Sequence, residues 1–222
     1  MNSVNSQKLW WDNNWQHQFK PLPIPLRNGI ERRLRRWLYW PVLKNLLQGV
    51  SLQGGNILEL GCGTGHASLY IAKQFGCHSV TLLDFSQQAL NRAREEIKIQ
   101  DGLKFRINII QADALKPPIK NRQFDLVHST GLAEHFWDKE RRRIFQVHAH
   151  LAKKNKWVML LIPKARTVAS SLFGAFNRIR GFQEEYFSEK ELSGLLRKSG
   201  LKVVKKKCLF GGGTWGILAV KK

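Results

Sequence analysis

The stretch Asn56-Ile-Leu-Glu-Leu-Gly-Cys-Gly-Thr-Gly65, followed without a break by His66-Ala-Ser-Leu-Tyr-Ile-Ala-Lys-Gln-Phe-Gly76, decides the fold. Residues 57–60 are a short apolar run, bounded by a turn, of the length and kind expected for a strand buried on both faces. Glycines at 61, 63 and 65 let the backbone turn tightly and approach a ligand with no Cβ in the way. Residues 66–75 read as a helix stopped by Gly76. Alone, this motif is also what any tight strand–helix turn looks like. A dinucleotide fingerprint would set its third glycine at 66, where this chain has His66.

Working outward, strands and helices alternate. Further strands are predicted at 80–83, 105–110, 124–129 and 157–162. Ser86 caps a helix whose stripe is Ala89, Leu90, Ala93 and Ile97, and another helix covers about 139–151. Such alternation implies a parallel sheet with helices on both faces. The end differs. Ser188-Glu-Lys-Glu191 is a capping box opening a helix over 189–198, closed by Gly200. Strands at 201–208 and 214–220 follow, joined only by Leu209-Phe-Gly-Gly-Gly213. That link cannot hold a crossover helix, so these two strands must form an antiparallel hairpin. There are no internal repeats.

Acids recur where such strands end. Asp84 closes the second strand, 19 residues after Gly65. A carboxylate there can accept both hydroxyls of a ribose. Asp113 closes the third strand, in Gln111-Ala-Asp-Ala114, where it could accept an adenine amine. Either acid by itself could equally be a turn former.

Taken together, Glu59-Leu-Gly-Cys-Gly-Thr-Gly65, Leu82-Leu-Asp84-Phe-Ser, Gln111-Ala-Asp113-Ala-Leu and Phe124-Asp-Leu-Val-His-Ser-Thr130 resemble, in order, the motifs of class I SAM-dependent methyltransferases. The resemblance spans residues 56–222. It implies an α/β, Rossmann-like three-layer sandwich, with a mostly parallel seven-stranded sheet ending in an antiparallel hairpin. It also implies S-adenosyl-L-methionine as cofactor. Gly61, Gly63 and Gly65 would line its methionine part, with Glu59 supporting the loop or the amino group. Asp84 would hold the ribose, Phe85 would pack near adenine, Asp113 and the Ala114 amide would read the adenine edge, and Thr130 would sit beside the methionyl chain. The stretch Ser129-Thr-Gly-Leu-Ala-Glu-His-Phe136 and the pattern over 187–201 look most like the small-molecule branch. The Asn/Asp-Pro-Pro-Tyr/Phe signature of the adenine and glutamine N-methylating members is missing.

Methyl transfer from a sulfonium asks chiefly for alignment and the exclusion of water. A general base is needed only for an acceptor protonated at working pH. His135 is the first candidate, ahead of Glu134 and His128.

Composition bounds the rest. A chain of 222 residues suits one α/β domain. The expected division is a basic, Trp-rich arm and helix over 1–50 and the cofactor-binding domain over 51–222. Net charge is +21, with eight Lys/Arg against two acids in 1–50, nine against nine in 51–138, and twenty against five in 139–222. The basic flanks suggest an acidic partner, either an acidic acceptor, RNA or an anionic membrane, or else a solvated surface. A basic protein binding RNA or membrane, with this fold but no turnover, is the alternative function.

Within the arm, Pro21, Pro23 and Pro25 favour an extended chain, and an amphipathic helix over 30–47 carries Arg32, Arg33, Arg35 and Arg36 and is kinked or split by Pro41. Residues 164–182 mix arginines with apolar side chains and read as a lid over the cofactor, or else as a surface that stacks bases and holds phosphates or lies in a membrane interface. Three cysteines make neither a disulfide framework nor a metal pattern, and His148 and His150 point apart on a helix, so no metal is expected. A cytoplasmic protein, at most peripheral to a membrane, fits this composition.

Overall fold

The computed structural model describes residues 9–13, 39–100, 102–120, 123–165, 185–209 and 213–222. The proline arm, the run Arg32, Arg33, Arg35 and Arg36, and all but the first two residues of the expected lid lie outside these residues.

Seven strands form one sheet: β1 (Asn56–Leu60), β2 (Ser79–Asp84), β3 (Arg106–Gln111), β4 (Phe124–Thr130), β5 (Ala152–Pro163), β6 (Leu201–Leu209) and β7 (Thr214–Lys221). Their order is β3-β2-β1-β4-β5-β7-β6. The first five strands run parallel, while β7 is antiparallel to both β5 and β6. The expected hairpin therefore closes one edge of the sheet. The chain moves outward from β1 through β2 to β3, then returns to place β4 on the other side of β1. That reversal leaves a crevice at the carboxyl ends of β1 and β4, where open α/β sheets bind ligands.

Period-two alternation divides the core between the faces. Leu58, Leu60, Val127, Leu160 and Ile217 pack with helices α4 (Asp138–Leu151) and α5 (Glu189–Lys198). Ile57, Leu126, Met159, Leu161 and Leu218 pack with α1 (Trp40–Leu46), α2 (His66–Phe75) and α3 (Gln87–Lys98). Leu43 and Leu46 of α1, and Leu47 just after it, are fully buried in this second layer. Trp40 also stacks on Tyr70 of α2, with ring centres 4.2 Å apart. No helix among the described residues is long and apolar enough to cross a membrane.

Pro41 stands in the first turn of α1, where its missing N–H breaks no helical hydrogen bond. One detail differs from the sequence reading. β5 begins at Ala152, five residues earlier than expected, because α4 passes directly into it. The polar run Lys153-Lys-Asn-Lys156 looks like a loop in sequence. In the fold, the Lys153 and Lys156 ammonium groups reach Asp125 at 2.7 and 3.2 Å. Burial pushes the Asp125 carboxyl up, but these lysines and the Asn56 amide outweigh it and hold it below the usual range. Asp125 is thus a structural anchor at the amino end of the sheet.

Candidate functional site

The glycine turn leaves β1 with Gly61, Gly63 and Gly65 all at positive φ, between 53° and 71°. Side chains there would be strained, and two would also collide. A Cβ on Gly61 would meet Leu132 at 2.7 Å, and one on Gly65 would meet Leu82 at 2.7 Å. Bare backbone is therefore a packing requirement of this turn.

Asp84 ties the turn to the end of β2. One carboxylate oxygen accepts the Gly63 amide at 2.8 Å and the other accepts the Ser86 amide at 2.9 Å. The side chain is almost wholly buried. Burial raises the Asp84 carboxyl above its ordinary value against the pull of those amides, and Asp12 adds to the rise. Each oxygen still has a lone pair for a second donor.

Glu59 sits behind the turn. It accepts the Ser68 amide at 3.3 Å, and its other oxygen lies 4.0 Å from His128 Nδ1. His128 Nε2 in turn meets the Ser68 hydroxyl at 2.8 Å. Burial lowers the His128 pKa to about 3, so the ring is neutral. His128 is fully enclosed and packs between β4 and α2. Cys62, in the turn itself, is held as a thiol: burial, then Asp84 and Glu59, push its pKa well up.

At the end of β3, Asp113 accepts the Leu115 amide at 2.8 Å and forms a turn. Ala114 is buried beneath it, and the Ala112 amide donates to the Asp84 carbonyl at 3.0 Å. Phe85 is half-buried, its carbonyl held by the Gln111 side chain at 3.2 Å. At the end of β4, Thr130 Oγ1 is buried and has no hydrogen-bond partner among the described residues. The chain then turns through Gly131 into a short 3-10 segment, Ala133–His135, which buries Glu134 and His135. Burial lowers the His135 pKa to about 3, partly offset by a hydrogen bond with the Gly131 backbone.

The residues singled out from sequence thus fall on one rim of the sheet: the glycines, Asp84, Phe85, Asp113, Ala114, Thr130 and His135. Glu59 lies one layer below it. The segment 9–13 of the Trp-rich arm also reaches this rim. Trp11 packs on His135 with ring centres 5.3 Å apart, and Trp10 stands edge-on to Trp11 at 5.1 Å. Asp12 accepts a hydrogen bond from Ser86 Oγ. Five residues from the arm therefore reach both ends of the rim. Only the density of tryptophan hinted at this.

Sequence reasoning missed Arg141 on α4. Its buried guanidinium reaches Glu185 at 2.9 Å and Glu191 at 3.0 Å, and lies 3.7 Å over the Phe187 ring. The Glu185 amide donates to the Glu134 carbonyl at 3.1 Å, so this clamp braces the His135 turn. Among the described residues, no His/Cys/Asp/Glu group could hold a metal ion.

The rim fits an adenosyl sulfonium. A buried carboxylate has spare lone pairs at the end of β2, Cβ-free backbone lies beside it, and across the crevice stands a hydroxyl unpartnered among the described residues.

Comparison with known proteins finds methyltransferases. A family described as methyltransferase domain matches residues 57–155. Norajmaline N-methyltransferase of Rauvolfia serpentina is 35% identical over 99 residues, 44% of this chain and 32% of that protein. The probable tocopherol O-methyltransferase of Oryza sativa subsp. japonica is 33% identical over 88 residues, 39% of this chain and 23% of that protein. The chain thus spans about a third or less of the length of these two curated relatives. Among solved structures, a chain from a Haloferax volcanii complex of a methyltransferase activator with a methyltransferase superposes with a TM-score of 0.73 at 16% identity, covering 94% of this chain and 96% of that one. Magnesium protoporphyrin IX methyltransferase from Synechocystis PCC 6803, with bound SAH, gives 0.64 at 14% identity over 100% and 89%. At these identities the likeness is one of fold.

Proposed function

We propose that the chain is a class I SAM-dependent methyltransferase that transfers the methyl group of S-adenosylmethionine to a small organic acceptor, a reading supported by the methyltransferase-domain match over residues 57–155 and the methyltransferase relatives. The observation that carries this reading is the joining of Gly63 to Asp84 beside the β1/β4 crevice. Bound there, the cofactor supplies a methyl carbon made electrophilic by its sulfonium.

In this proposal the Asp84 oxygens accept the two ribose hydroxyls while keeping their amide donors. Phe85 covers one face of the adenine, and Asp113 with the Ala114 amide meets its edge. Glycines 61, 63 and 65 let the methionyl chain lie against backbone, and Thr130 offers its hydroxyl to that chain. Glu59 acts from below, fixing the first turn of α2 through Ser68.

His135 and Trp11 stand at the acceptor end and exclude water from it. A ring with a pKa of about 3 is neutral at working pH and can accept an acceptor's hydrogen bond or its proton. It is a weak base, so this site favours acceptors whose attacking atom is already unprotonated. A small molecule is favoured over a macromolecule because Trp11 already occupies the ground beside His135. The names of the two curated relatives, which point to norajmaline and tocopherol, are in keeping with that class.

Incubation with methyl-labelled S-adenosylmethionine and a panel of phenols, amines and thiols tests the reading. Label in at least one organic product supports it. Label only in RNA or protein would reject the small-molecule acceptor.

A further inference from the structure

The outer edge of the sheet carries a feature that methyl transfer does not use. Val203 and Val204, adjacent in β6, are 40% and 49% exposed. In a regular strand, neighbours point to opposite faces, and on a covered sheet both would be buried. Here the register jumps from Val203↔Ala219 to Lys205↔Leu218, leaving Val204 with no residue opposite it. A bulge of this kind bends the edge outward.

Cations surround the pair. Residues 192–222 hold eight Lys/Arg and no acid at all. Lys206 is paired with Glu189, and Lys205 and Lys207 reach back to Gln48 and Asn45 beside α1. The others gather where α5 turns into β6. Arg197 and Lys198 end α5 exposed, Lys202 opens β6, and Lys221 faces Leu201 across the ladder. The Lys221 ammonium lies over Gly200, and the Lys222 amide donates to the Gly200 carbonyl.

We infer that this corner is a docking surface for an anionic lipid bilayer, with Val203 and Val204 entering the headgroup layer and Arg197, Lys198, Lys202, Lys221 and Lys222 meeting acidic headgroups. Lysines by themselves would be explained as protection of an edge strand against pairing. Two exposed valines work against such protection. Nucleic acid is a poorer fit, since described β6 offers no aromatic ring for a base to stack on. A second copy fits poorly too, because edge-to-edge pairing would set one lysine row against another. A lipid surface rewards both features together. β6 runs parallel to β5, so the valines lie toward the amino-end rim, opposite the cofactor crevice. Docking there leaves the crevice open.

The test is co-sedimentation of the full chain with vesicles of phosphatidylcholine, with and without one-third phosphatidylserine, beside titration with a poly-uridine oligonucleotide. The variants are Val203→Ser with Val204→Ser, and Lys202→Gln with Lys221→Gln and Lys222→Gln. Wild type should bind the anionic vesicles, weaken steeply with salt, and ignore pure phosphatidylcholine. The valine variant should lose about tenfold in vesicle binding and nothing in oligonucleotide binding, and the lysine variant about a hundredfold in vesicle binding. Both should keep the wild-type thermal shift with S-adenosylmethionine, which checks folding and the methyltransferase reading separately. If the valine variant does not fold, the lysine variant decides. No vesicle binding at low salt, binding indifferent to the substitutions, or a solution dimer that buries the valines would overturn the inference.

Discussion

The imidazole of His135 lies against the indole of Trp11, ring centres 5.3 Å apart and planes at 69°, although the two come from opposite parts of the chain. This contact helps keep the His135 ring dry, and dryness is the main cause of its low pKa. Trp11→Ala should therefore let water in and raise the His135 pKa by more than about one unit. An NMR titration of the imidazole carbon-bound protons reads this directly. An unchanged titration would mean that the β4 turn alone sets the value.

Arg141 holds the chain that follows β5 through two carboxylates, one carbonyl and one aromatic face. Breaking a buried ion pair costs about 3–5 kcal/mol. Glu185 and Glu191 are 51% and 37% exposed, so water would take up part of that loss. Arg141→Met should cost ~2 kcal/mol in denaturant unfolding, and Glu191→Gln under ~1 kcal/mol. Equal losses would show that the guanidinium depends on Glu191 alone.

Much of this site was legible in the sequence, and the reasons are local. Glycines 61, 63 and 65 and the capping residues Ser86 and Ser188 state their backbone roles within a few positions of themselves. Asp84 could be placed because a strand end at that distance from Gly65 must come beside it. Arg141 could not be placed, since on α4 it looks like one more cation in Arg141-Arg-Arg143. Its difference lies in Glu185, Phe187 and Glu191, which only tertiary packing brings to it. The contacts of Trp11 and Asp12 with the rim were hidden for the same reason. So was the start of β5, whose polar sequence is compensated by Asp125 on the neighbouring strand.

Three buried histidines should make the fold sensitive to acid. His128 and His135 are lowered to about 3 and His148 to about 4, each chiefly by burial, and the His128 and His148 rings are each hydrogen-bonded to a serine. The unfolded chain would protonate all three near 6.5, so below that pH it binds protons that the native state refuses. Stability then falls as pH drops, by ~1.4 kcal/mol per unit for each ring. Between pH 7.5 and 5 the loss should be about 6 kcal/mol for the three rings. The Asp84 carboxyl, raised by burial, works the other way. Denaturant unfolding at the two pH values checks the sign, and a flat profile would contradict the neutral assignment.

The claim that Asp84 holds the cofactor's ribose beside the glycine turn is tested most directly by calorimetric titration of S-adenosylmethionine into wild type and Asp84→Ala. The side chain would make two charge-assisted hydrogen bonds to the ribose, each worth about 1.5–3 kcal/mol. Wild type should bind S-adenosylmethionine and not NAD. Asp84→Ala should lose at least about a hundredfold in affinity while still unfolding cooperatively. A folded Asp84→Ala protein that binds S-adenosylmethionine as tightly as wild type would contradict the account.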